Sequence, residues 1–207
     1  MAIGLIGKKV GMTQIFNEGA KACAVTVLQV GPCPVVQKKT KDKDGYEALQ
    51  LGFGISENAR GLNRPLRGHF EKAKVPYTRY LREIRLDQTV QFSVGQMLTV
   101  EVFQEKDAVE VTGISKGKGF QGGVRRWGYL GGPETHGSMF HRAPGSIGAS
   151  SFPSRVFKGH HMPGHMGTDR VTIKGLRVVK ILPEKNLLLL SGSVPGAYGG
   201  MVIIRKK

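Results

Sequence analysis

The sequence predicts a mainly β protein: a small closed β-barrel interrupted by a long, irregular, glycine-rich basic extension, with one or two short helices. Three observations predict it. Short runs with two-residue alternation recur at both ends of the chain, each closed by Gly, Pro or a polar turn. Fourteen of the 30 glycines fall within residues 113–168. That stretch holds only five Val, Ile or Leu, against seven Lys or Arg, five of the six histidines and a single acid, Glu134. So little apolar surface cannot offset the entropy lost when a backbone is ordered.

The elements follow in order. Gly4–Ile6 and Met12–Phe16 flank Gly7-Lys8-Lys9, a pattern that predicts an opening hairpin. Ala22–Val30 is a β-branched run stopped by Gly31-Pro32. Val35–Lys39 and Tyr46–Phe53 lie on either side of the turn-rich Lys41–Gly45. Residues 56–76 are polar and broken by Gly61, Pro65, Gly68 and Pro76, with one short helix expected around Leu66–Ala73. Arg79, Arg82 and Arg85 recur every three residues, but Tyr80, Ile84 and Leu86 fit alternation, and 78–86 is read as a strand. Leu98, Val100 and Val102 alternate with Thr99 and Glu101, which predicts a half-buried strand, and Val109 and Val111 repeat the pattern. Beyond residue 168, Val171 and Ile173 alternate with Thr172 and Lys174. Leu176–Leu182 ends at Pro183, Leu187–Ser191 ends at Gly192, and Met201–Ile204 precedes a basic tail. Strands this short and this closely spaced predict a small barrel. The expected division is a barrel over 1–112 and 168–207, with a polar subregion at 56–76, and an extended loop over 113–167.

Charge names the kind of partner. The formal net charge is +16 and the sequence pI about 10.1. Seven basic residues against one acid give 113–168 a charge of +6, and the other +10 is spread along the chain. Self-repulsion on this scale favours a polyanion as partner. Cys23 and Cys33 are read as free thiols, since the start of the chain has no charged flank followed by a long apolar stretch. No run approaches the roughly 18 apolar residues that span a bilayer. A soluble intracellular protein with no membrane partner is expected.

Three segments carry the chemistry. In Gly113 to Trp127, glycines let backbone N–H groups approach phosphates while Lys116, Lys118, Arg125 and Arg126 supply charge. Trp127 and Phe120 have the faces to stack on bases or sugars. A nucleotide-binding P-loop is disfavoured, because Lys118 is followed by Gly119 rather than Ser or Thr. His136 to Gly148 contains His141, Arg142 and Ser146, with a turn at Pro144-Gly145. Phe157 to Gly167 contains Lys158, His160, His161 and His165, where Pro163 and Gly164 prevent the helical turn that a zinc-protease pair requires. Neither cysteine lies near these histidines in sequence, so no metal and no cofactor is expected. Catalysis has little footing: Glu134 has no paired acid, Ser138 and Ser146 lack a Gly-x-Ser-x-Gly frame, and the one around Ser115 (Gly113 to Gly117) sits in a segment whose single acid is Glu134. The alternatives are a metal-dependent enzyme using His136, His141, His161 and His165, and a free RNA chaperone.

The segments together resemble the bacterial form of the large-subunit ribosomal protein L3 family, nearly end to end. GLIGKKVGMTQIF, VTVLQVGPCPVVQKKT, GYEALQLGFG, GHFEKA, HGSMFHRAPGSIG, FKGHHMPGHMG and LLLLSGSVPGA carry the likeness. The family's glycine-lysine signature falls on Gly113, Ser115, Gly117, Lys118, Gly119, Gly122 and Arg126. The resemblance implies a barrel of the translation-protein type and a non-enzymatic constituent of the large ribosomal subunit in the cytoplasm; a mature organellar origin stays open. It implies binding to 23S ribosomal RNA, a role early in assembly, an extension toward the peptidyl-transferase centre, and neighbouring ribosomal proteins as partners. No small-molecule substrate is implied. The expected RNA-binding residues are Lys8, Lys9, Lys116, Lys118, Arg125, Arg126 and Trp127, then His136, His141, Arg142 and Ser146, then Arg155, Lys158, His160, His161 and His165. Phe140 and Phe152 would add stacking or packing. Two departures stand out. Ala149 stands where many bacterial members have a glutamine that can be methylated, and His160 and His161 stand where the family often has Lys or Arg.

Overall fold

A computed structural model describes residues 3–16, 21–56, 61–86 and 91–206. The chain divides into two compact units, Met1–Ser115 with Arg170–Lys207, and Lys116–Asp169. The first contains β1 (Gly4–Phe16), β2 (Ala22–Val30), β3 (Cys33–Lys39), the single turn α1 (Lys41–Asp44), β4 (Ala48–Ile55), α2 (Arg64–Ala73), β5 (Thr78–Arg85), β6 (Met97–Leu98) and β7 (Ala108–Ile114). The second contains β8 (Gly119–Gln121), α3 (Gly123–Trp127) and β9 (Gly164–Met166). The chain then returns to the first through β10 (Arg170–Leu182), β11 (Leu187–Ser191) and β12 (Met201–Lys206). The protein is mainly β.

Six strands hydrogen-bond in the cyclic order β1-β12-β7-β10-β11-β2, and β2 pairs back onto β1. A second sheet runs β5-β4-β3-β6. The two share one core. Leu5, Leu28, Val111, Leu188 and Ile204 enter it from the cyclic sheet, and Val35, Leu49, Leu51 and Ile84 from the other. Each such side chain contributes about 1.5–3 kcal/mol by leaving water. Beside it, Phe70 of α2 is fully buried with Val36 and Val75, and the ring of Tyr77 meets it edge-on at 5.8 Å. Pro65 sits in the first turn of α2, where its missing N–H removes no helical bond, and Lys74 ends the helix in left-handed conformation.

Two polar ties join distant strands. Lys39 bridges Glu83 at 2.9 Å and donates to the Tyr46 hydroxyl at 2.6 Å, which itself donates to Glu83 at 2.9 Å. The bond from Lys39, with that from Tyr46, holds the Glu83 carboxyl below its usual range. The Tyr46 and Glu83 bonds in turn raise Lys39. Asp107 pairs with Lys206 at 2.7 Å and accepts from the Gln104 amide at 2.8 Å. Burial pushes the Asp107 carboxyl up, but these two partners outweigh it and the net shift is downward. The Cys33 thiol is buried and pushed up to about 11, so it is inert at neutral pH.

Three expectations from the sequence are corrected. The opening hairpin at Gly7-Lys8-Lys9 is instead part of one continuous strand, β1, with a bulge between Lys9 and Gly11. Gly7 serves close approach and not a turn: a Cβ there would stand 2.8 Å from the Gln29 carbonyl oxygen. The strand expected over Leu98–Val102 stops at Leu98 and becomes a 3-10 turn over Val100–Val102. Three residues per turn place Val100 and Phe103 on one side, and both are buried. The two strands expected across Val171–Leu182 are one, β10, whose pairing shifts between Ile173 and Leu176 around Gly175, at φ +76°. The cyclic sheet also reaches further than expected, since Gly113 and Ile114 pair with Val171 and Arg170.

Candidate nucleic-acid interface

The insertion begins and ends on neighbouring strands, with Ile114 of β7 paired to Arg170 of β10. Within Lys116–Asp169, Gly123 is the one buried residue. Local order comes from backbone pairing and short polar bonds. β8 pairs with β9 through Gly119↔Met166, Phe120↔His165 and Gln121↔Gly164. Lys118 N–H donates to the Met166 carbonyl at 2.9 Å, and Gly132 N–H to the His141 carbonyl at 2.8 Å. From 133 to 160 the chain has no helix or strand.

The expected contact residues have different situations. Lys116, Lys118, Arg125, Arg142, Arg155 and Lys158 are all exposed, as are His136, His141, Ser146, His160 and His165. The lysine and arginine charges face solvent, and the Arg155 guanidinium also lies 5.3 Å from the centre of the Phe157 ring. Phe120 is 77% exposed and Phe152 87%, both available for stacking, whereas Phe157, 60% exposed, already has the Arg155 guanidinium over one side of its ring. Phe140 is 43% exposed, and its carbonyl lies against Gly132. The Ser146 hydroxyl is engaged locally, donating to the Gly148 carbonyl at 3.1 Å. Lys8 is exposed. Lys9 is otherwise: its ammonium donates to the Val194 carbonyl at 2.7 Å and to the Gly196 carbonyl at 3.4 Å, so it ties loop to strand.

Trp127, Arg126 and His161, also expected to bind RNA, have partners within the chain. The Trp127 indole stacks on the His161 imidazole, with centroids 3.9 Å apart and planes 1° from parallel. Trp127 Nε1 and Arg126 Nη1 both donate to the Met162 carbonyl, at 2.9 and 2.7 Å. The Tyr129 hydroxyl donates to the His161 carbonyl at 2.6 Å. Tyr129 was not singled out by sequence. It is the one tyrosine between residues 113 and 168, two positions after the one tryptophan, and that pairing of aromatics was the available signal. The glycines have a second use as well. A Cβ at Gly123 would stand 2.6 Å from the Tyr129 ring, so part of the close approach they permit is to this chain itself.

Among the described residues, no group of three or more His, Cys, Asp or Glu is placed to hold a metal ion. No helix among them is long and apolar enough to cross a membrane.

Against known proteins, the profile of the family described as Ribosomal protein L3 matches residues 81–193, a span that includes the whole insertion. The large ribosomal subunit protein uL3 of Carboxydothermus hydrogenoformans is 53% identical over 206 residues, covering 100% of this chain and 98% of its own length. The chain belongs to the ribosomal protein L3 family. A ribosomal protein L3 is an RNA-binding component of a ribonucleoprotein in translation.

Proposed function

We propose that the protein is a structural, non-enzymatic constituent of the large subunit of the cytoplasmic ribosome, that it binds 23S ribosomal RNA early in assembly, and that Lys116–Asp169 threads between RNA helices toward the peptidyl-transferase centre. On this reading the cyclic sheet is a small barrel of the translation-protein type, docked on folded RNA and beside other large-subunit proteins. The observation that carries it is the makeup of the insertion: exposed cations and aromatics on a chain with one buried residue. Backbone this irregular gains its order from a partner, and phosphate is the partner its charge selects. Lys118, Arg125, Arg142, Arg155 and Lys158 neutralise phosphates. Phe120, Phe152 and Phe157 stack. The distal stretch around Arg142–Arg155 steadies catalytic RNA without doing chemistry itself.

The test is salt-dependent binding to the cognate 23S RNA fragment, with co-sedimentation on large subunits after a moderately high-salt wash. If about ten phosphates are neutralised, log affinity falls against log salt with a slope of roughly −7 to −9. One copy per subunit after the wash is expected. A near-flat salt dependence, or loss of the protein in the wash, would overturn the reading.

A further inference from the structure

We infer that the insertion carries its own clasp, an intrachain lock of Arg126, Trp127 and Tyr129 on His161 and Met162, which closes its root into a preformed loop before any RNA is bound. The clasp is built from side chains of α3 and the residues just after it. They grip backbone that lies 32 to 36 positions further along the chain. Three hydrogen bonds reach two consecutive carbonyls, those of His161 and Met162. The indole–imidazole stack covers the same segment from one side, and the Arg126 guanidinium lies 4.9 Å from the Trp127 ring.

Local sequence is shaped to receive these groups. Gly123 lets the Tyr129 ring lie against the backbone of α3, and Gly128 ends that helix at φ +74°, in a conformation that a β-carbon disfavours. Gly164 accepts the Arg126 guanidinium, which a Cβ there would meet at 2.5 Å. The β8–β9 pairing continues the closure on the side of the loop nearer the cyclic sheet in sequence. Two limbs are therefore joined at successive levels by contacts that need no partner. The distal residues 133–160 have nothing comparable.

Closing a loop of this length has an entropic cost that must be met at some step. With the clasp made in the free protein, that cost falls on folding, and RNA binding orders only the distal stretch. The clasp also reassigns His161 and Trp127. Their facing surfaces are occupied by each other, so they position the loop and do not contact phosphate through those faces.

The chain has a single tryptophan, Trp127, so its signals report on the clasp alone. The full-length, RNA-free protein is exchanged into deuterated buffer and the indole N–H is followed by NMR, beside acrylamide quenching of its fluorescence. Protection of the indole proton at least tenfold over the denatured chain is expected, with quenching reduced severalfold. In His161→Ala both protections are lost while far-UV dichroism of the strands is retained; His161→Phe, which keeps a flat partner, restores them. An indole proton that exchanges in the free wild-type protein as it does in the denatured chain overturns the inference without recourse to any variant. A second arm rests on the RNA-binding reading. His161→Ala is expected to weaken binding to the 23S fragment about tenfold with no change in salt slope. A slope reduced by about one, with no loss of indole protection, would make His161 a phosphate contact and overturn the clasp. Since indole exchange needs no RNA, the clasp and the RNA reading can fail separately.

Discussion

The two compact units of this protein solve the problem of order differently. Met1–Ser115 with Arg170–Lys207 buries Leu5, Leu28, Leu49, Val111, Leu188 and Ile204 in one continuous core, and its strands are paired along their length. Lys116–Asp169 buries only Gly123, and replaces a core with a three-residue strand pair, one turn and a half of helix and a few side-chain bonds to carbonyls. The first holds its shape through the hydrophobic effect. The second holds its root through polar geometry, and residues 133–160 have no helix or strand. The buried core therefore belongs to one unit, and on the proposed reading RNA recognition belongs chiefly to the other, which would make the two separable by mutation.

The sharpest break of that comparison is removal of the distal unit. Deleting residues 120–160 is expected to leave cooperative thermal melting intact, because every residue of the shared core lies outside that window. Incorporation into large subunits, or peptidyl transfer by those that form, should be lost. Calorimetry with a sucrose-gradient profile checks both halves, and a deletion variant that melts without cooperativity contradicts the division.

Next in size is a core truncation set against one in the insertion. Leu28→Ala removes a fully buried side chain and is expected to lower stability by about 2–5 kcal/mol. Phe152→Ala removes a ring that is 87% exposed, and should leave denaturant unfolding unchanged while weakening RNA binding by about 1–3 kcal/mol. Equal effects of the two on unfolding would erase the contrast. Smaller still, Arg125→Ala or Lys158→Ala should each reduce the salt slope of RNA binding by about one, whereas Lys9→Ala, whose ammonium is bonded to Val194 and Gly196, should instead lower the melting temperature.

How much of this was legible in the sequence differs between the units for the same physical reason. Where burial is one-sided, as in β7, alternation is written into the residue types, and the continuous apolar run of β11 is legible because both its faces are covered; β2 and β5 also follow the expected runs. The expectation failed where a residue had two uses. Gly7 reads as a turn but is a place of close contact with Gln29. Val100 reads as the next residue of a strand but reaches the core from a 3-10 turn. In the insertion, composition made the charge and the lack of a core visible. The clasp was not visible, because neither periodicity nor spacing relates Tyr129 to His161, and loop backbone has no repeating pattern from which a partner 32 residues away could be read. At Lys9 and Trp127 the sequence also did not show the partners that these side chains have within the chain.

The smallest expected effect is on pH dependence, and it falls in the first unit. Glu83 and Asp107 have folded-state pKa values below their unfolded ones. Their contribution to stability is full at neutral pH, and is lost as pH drops through about 4 and below. Lys39 is shifted the other way, upward, so its contribution is full at neutral pH and is lost only as pH rises well above about 10. Both ion pairs are partly solvated, so each effect is modest. Glu83→Gln should flatten part of the acid limb of the stability profile, and Lys206→Ala another part. An unchanged acid limb in the double variant would remove these pairs from the account.

Backbone hydrogen exchange on the full-length protein, free and bound to its 23S RNA fragment, tests the central contrast most directly. In the free protein, amides of β2, β7 and β11 should exchange only through global unfolding, and those of residues 133–160 at rates near an unfolded chain, slowing by orders of magnitude once RNA is bound. Residues 133–160 exchanging as slowly as the strands in the absence of RNA would contradict it.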